Sequence, residues 1–194
     1  MIDFSKLNKN KTYLGLQFGR SLIAKTIAKF SKMYCPAERL IATHALAFIY
    51  ENDSWHIYES HLKPEPEFDI PSGVRCYKLA DWLRIEENSL VEFRAYPIKL
   101  DVEELKKHIG EKYGKGDIKS LLRAALFHTN GKQKDRDGLI CSEYIALAFK
   151  PIQKYFKLPP HCITPAHFQN YVKARKSIRQ VKQISKKGNN ENGK

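Results

Sequence analysis

Cys141 is the residue in this chain best placed to act as a nucleophile. It sits in Asp137-Gly-Leu-Ile-Cys-Ser-Glu-Tyr-Ile-Ala-Leu-Ala-Phe149, where a polar, Gly-bounded loop gives way to an apolar stretch at helical spacing. A thiol at the start of a helix lies beside free backbone N–H groups and the positive end of the macrodipole. Both favour the thiolate, the reactive form. The same N–H groups can hold the oxyanion of a tetrahedral intermediate. A buried cysteine is equally able to serve as a small hydrophobe, so position alone leaves both readings open.

A thiol nucleophile needs a base, and residues 41–61 supply a candidate. Glu51-Asn-Asp-Ser54 carries turn chemistry between an apolar run (41–50) and an aromatic, β-branched run (55–60), which predicts a β-hairpin. With Asn52-Asp53 as a two-residue loop, Glu51 faces Ser54, Phe48 faces Ile57 and His44 faces His61. Side chains alternate along strands, so His44, Leu46, Phe48 and Tyr50 share a face with Trp55, Ile57, Glu59 and His61. His44 and Glu59 are then diagonal neighbours within side-chain reach. An imidazole and a carboxylate on an otherwise apolar face fit a base held in one tautomer by an acid. A satisfied core histidine fits as well, and His61 could replace Glu59 as its polar partner.

The elements that must position these groups follow from periodicity and breakers. Residues 12–18 form a short strand, and 21–34 a basic amphipathic helix with Leu22, Ile23, Ile27 and Phe30 on one face. Residues 74–79 and 90–98 are further strands, separated by a polar segment holding Trp82. Asp101-Val-Glu-Glu104 opens a helix ending near Tyr113-Gly114, and Asp117 caps another with Ile118, Leu121, Leu122 and Ala125 as its stripe. Residues 142–149 form the nucleophile helix, and Thr164-Pro165 opens the last one. A helix, a run of strands and then helices argue an α+β domain with an antiparallel sheet.

Composition bounds the partners. The chain of 194 residues carries a net charge of +13, of which +7 lies in residues 173–194. The expected organisation is a folded domain over 1–172 and a basic, disordered tail over 173–194. No run of about 18 apolar residues and no secretory signal is apparent, so a cytoplasmic protein with reduced thiols is expected. Cys35, Cys76, Cys141 and Cys162 show neither Cys-x-x-Cys pairs nor zinc spacing, and no cofactor or metal is expected. Cys35 and Cys76 read as packing residues. His161, Cys162 and His167 do not match a known ligand pattern.

Several segments together resemble a family. Thr43-His-Ala-Leu-Ala-Phe-Ile-Tyr50 with Ile57-Tyr-Glu-Ser60 resembles the histidine and acidic strands of the YiiX-like branch of the NlpC-type, circularly permuted papain-like cysteine hydrolases. Tyr113-Gly114, Cys141-Ser-Glu-Tyr144 and Ile163-Thr-Pro-Ala-His-Phe168 are similar to that branch's tyrosine segment, nucleophile motif and Thr-Pro segment. The resemblance covers roughly 12–170 in the family's order. It departs at Ile140, where an aromatic residue often stands, and at the charged stretch 132–137. It implies an antiparallel β half-barrel packed on helices, with Cys141 as nucleophile, His44 as base and later acid, and Glu59 as the residue orienting His44. It further implies a thiol hydrolase, a peptidase or amidase acting on an amide such as a cell-wall peptide, or an acyltransferase, through an acyl-enzyme. The competing expectation is a non-catalytic basic module that holds nucleic acid or an anionic membrane surface through the tail and the lysine-rich helix.

Overall fold

The computed structural model describes residues 4, 7–19, 22–32, 36, 38–85, 90–114, 138–175, 178, 180 and 182–185. The predicted helix at 118–125, the stretch 132–137 and Cys35 lie outside these residues. The remainder is α+β. Six strands, β1 (Tyr13–Gly19), β2 (His44–Glu51), β3 (Ser54–His61), β4 (Gly73–Lys78), β5 (Leu90–Pro97) and β6 (Lys182–Ser185), form one antiparallel sheet in the order β4-β3-β2-β1-β5-β6. The α-helices are α1 (Leu22–Ser31), α2 (Leu79–Ile85), α3 (Val102–Lys107), α4 (Cys141–Ala148), α5 (Lys150–Phe156) and α6 (Pro165–Ala174).

The β2–β3 hairpin has the predicted register, with Glu51 opposite Ser54 and Phe48 opposite Ile57. Asn52 and Asp53 both adopt positive φ (47° and 58°), the conformation of a type I′ turn, whose twist matches that of the strands it joins. Alternation then sorts the sheet into two buried faces. Leu14, Leu16, Ala45, Ala47, Ile49, Tyr58 and Val74 meet Leu105, Tyr144, Ile145 and Phe168 of the helices. On the other face, Leu46, Phe48, Ile57, Tyr77 and Phe93 pack on Trp82 of α2 and on Phe4 and Leu7. Gly15 lies among them, and a Cβ there would come within 2.5 Å of Leu46 Cδ1 and Phe48 Cε2. The backbone of β1 thus leaves room for its neighbours' side chains.

Two expectations are corrected. The segment around Trp82 is the helix α2, with Trp82 fully buried rather than part of a polar linker. The helix opened by Asp101, whose side chain accepts Glu104 N–H at 3.1 Å, stops at Lys107 instead of near Tyr113. Gly110, at φ 91°, follows the closing turn of the helix, and residues 110–111 hydrogen-bond with Val74 of β4. The boundary at 172 falls inside α6, and Lys182–Ser185 of the expected tail pairs with the outer edge of β5. An open strand edge offers unpaired N–H and C=O groups to any extended segment that reaches it.

Candidate functional site

The structure brings together the residues expected at the site. His44 opens β2, and its Nε2 lies 2.6 Å from Glu59 Oε2. The His61 ring stands perpendicular to that of His44 at 5.5 Å between centroids. Glu59 is 1% exposed, and such a charge is stable only when paired. Its Oε1 accepts from Arg75 Nε (2.9 Å), Arg75 Nη2 (2.7 Å) and Tyr77 OH (2.6 Å). Arg75 is itself buried and spends its Nη1 on the carbonyls of Lys63 (2.9 Å) and Pro71 (3.2 Å). Burial raises the cost of the Glu59 charge, but His44, His61 and Arg75 outweigh it and hold the carboxyl well below its ordinary range.

Cys141 is the first residue of α4, after Ile140, which caps the helix with no side-chain bond. The chain is led there along a backbone path. Gly110 N–H donates to Val74 O and Val74 N–H to Glu111 O, so 110–111 extends the sheet beyond β4. Leu139 N–H then donates to Lys112 O at 3.0 Å, and Ser60 Oγ to Leu139 O at 2.5 Å. Gly138 makes this approach possible: its φ is 148°, and a Cβ would lie 2.0 Å from Lys112 O.

The groups that act on the Cys141 thiol are the His44 side chain and the backbone N–H groups of Ala45 and Ser142. With Nε2 given to Glu59, Nδ1 is the nitrogen left for sulfur. Burial pushes the thiol up, yet the imidazolium and the two amides prevail and lower its pKa. Burial likewise disfavours a charged His44, but the thiolate and Glu59 together raise it to about 10. Each group thus favours the charged form of the other. His61 moves the other way: burial, His44 and Arg75 push it down against Glu59, so it stays neutral beside the imidazolium.

Arg75, Tyr77 and Gln17 were not singled out in the sequence. Arg75 pairs directly with Glu59 across β3 and β4. The segment 62–72, broken by Pro64, Pro66 and Pro71, hid that register. Gln17 is the cross-strand partner of His44 on β1; it is 6% exposed, and its Nε2 has no partner among the described residues. A buried donor without a partner is costly unless a bound group accepts from it. His167 caps its own helix, its Nδ1 accepting from Thr164 N–H at 3.0 Å, and Cys76 packs against the helix-side core. No group of metal-ligating side chains occurs among the described residues.

No protein-family model and no curated protein matches this chain. No helix among the described residues is long and apolar enough to cross a membrane.

Proposed function

We propose that this chain is a thiol hydrolase or acyl transferase, and that within this class it is a peptidase or amidase of the permuted papain-like type, in the YiiX-like branch of the NlpC group. The observation that carries the reading is His44, buried between the Cys141 thiol and the Glu59 carboxylate. The order of the chain agrees, with the histidine strand preceding the nucleophile helix.

The chemistry follows from the charges. The Cys141 thiolate adds to a carbonyl carbon, and the C=O electron pair moves to oxygen. Backbone N–H groups at the start of α4 and the free amide of Gln17 are the donors in reach of that oxyanion. His44 gives its proton to the leaving amine or alkoxide as the C–N or C–O bond breaks, leaving an acyl-Cys141 thioester. The neutral imidazole then takes a proton from water or an acceptor alcohol, which attacks the thioester and releases the acid or ester. Glu59, fixed by Arg75 and Tyr77, keeps the ring in place through both transfers.

The test uses p-nitrophenyl acetate as a generic acyl donor and iodoacetamide as a thiol probe. We expect a burst of p-nitrophenolate, one acetyl group on Cys141 by mass spectrometry, and alkylation of Cys141 well below pH 8. Labelling of Cys141 no faster than that of Cys76 in the folded protein would remove the nucleophile and with it the enzyme.

A further inference from the structure

A cleft of about 320 Å³ opens between α1 and the segment 39–43 that leads into β2. Its rim carries Lys25, Lys29, Lys32 and Arg39, all exposed. None of the four takes part in an ion pair among the described residues. Glu38, adjacent in the chain, is occupied by Lys173 and Gln169. Lys25 and Lys29 stand four residues apart on α1, which has no acidic residue, and Lys32 follows just past its end; at such spacing like charges repel. A merely solvated face mixes its signs; this one concentrates a single sign over a concave surface, which focuses the field on an incoming anion.

The floor of the cleft is apolar. Phe18 and Ile41 are nearly fully buried there, and Leu40 is half-buried. At its inner end lies Thr43, which shares a sheet face with Ala45 two residues further on, about 7 Å along an extended chain. Thr43 is followed in the chain by His44, the candidate base, and by Ala45, whose N–H acts on the Cys141 thiol.

Taking Cys141 as the nucleophile argued above, we propose that this cleft seats an anionic group of the substrate, a carboxylate or phosphate joined to a short apolar stretch. The cations bind the charge, the floor takes the carbon chain, and the scissile carbonyl reaches Cys141. The occupant is a single small molecule or chain end rather than a surface, because the volume admits only a few substituents.

Octyl phosphate, kept monomeric, is the probe, titrated calorimetrically into the full-length chain. We expect saturable one-to-one binding that weakens with salt and slows iodoacetamide alkylation of Cys141. Lys25→Gln/Lys29→Gln/Arg39→Gln, confined to exposed side chains, should bind about tenfold or more weakly while alkylation of the free protein is unchanged. Cys141→Ser should bind as the unaltered protein does, which keeps the cleft testable even if Cys141 proves unreactive and the enzyme reading fails. Equal affinity in the triple variant, or saturation without protection of Cys141, overturns the proposal. So does binding to phosphatidylglycerol vesicles with none to the monomer, because α1 is then a membrane-surface element.

Discussion

Two histidines in this molecule are held by carboxylates, and only one of them belongs to the site. His108, at the end of α3, lies 2.6 Å from Glu111 and 3.1 Å from Glu104. Burial opposes its charge, Glu111 and Glu104 outweigh it, and its pKa is raised. By distance alone it matches His44. The carboxylates differ: those of Glu104 and Glu111 are 30% and 43% exposed, against 1% for Glu59. The neighbours differ too. The His108 ring stacks edge-on to Tyr144, whereas the His44 ring meets a thiol. An imidazole–carboxylate pair is therefore no signature of a site by itself; what sets His44 apart is a buried carboxylate and a neighbouring thiol.

The sharpest way to break this comparison is to remove the reacting atoms. Cys141→Ala or His44→Ala should lower acyl transfer from p-nitrophenyl acetate by about 10⁴-fold or more, whereas His108→Gln leaves it within twofold of the unaltered protein. A loss shared by the His108 variant would erase the distinction. Next comes the carboxylate's support. Arg75→Met leaves the buried Glu59 charge without its cation and should cost about 3–5 kcal/mol in urea unfolding, the penalty of breaking a buried pair. The same change should reduce acylation, while Tyr77→Phe, which removes a single donor, should cost about 1 kcal/mol.

The pH dependence separates the two histidines at intermediate cost. His44 is raised to about 10 in the fold, so its pairing stabilises fully below an unfolded value near 6.5 and is lost as pH climbs towards 10. Glu59 is depressed, so its contribution is complete above about 4.5 and disappears as pH falls through the lower folded value. Acyl transfer, which needs thiolate and imidazolium together, should rise at the depressed thiol pKa and fall near 10. In Cys141→Ala the His44 titration, followed by NMR of the ring protons, should move down, because the thiolate that raises it is gone. An unmoved titration would mean that Glu59 alone sets the ring's charge. The smallest effect is expected at His108, whose half-exposed pairs should contribute no more than about 1 kcal/mol and weaken with salt.

The hairpin was legible because two signals agreed: Asn52-Asp53 dictates a turn that sets pairing, and alternation then fixes which side chains share a face. That is why Glu59 could be placed beside His44 with no knowledge of the remaining strands. Cys141 at a helix start was legible from Gly138 and the apolar run after it. The failures have physical causes. The seven residues of α2 complete too few turns for their periodicity to separate from a loop pattern. The end of α3 depended on Gly110 and on a partner strand far away in sequence. Arg75 was invisible because its register follows a proline-broken connection, and a lone arginine on a strand announces no partner. The segment 182–185 carries a basic composition that says nothing about an open edge at β5.

Tyr113 and Leu139 form a parallel bridge, and Gly114 N–H reaches Leu139 O at 3.4 Å. Residues 114 and 139, on either side of 115–137 in the sequence, are therefore already joined through the backbone. Replacing 115–137 with a short Gly/Ser link should leave the rate of Cys141 alkylation within a few-fold of the parent, since a shorter closure costs less entropy. Whatever selectivity those residues confer would then be read directly, as the difference between parent and excised protein across a panel of acyl donors.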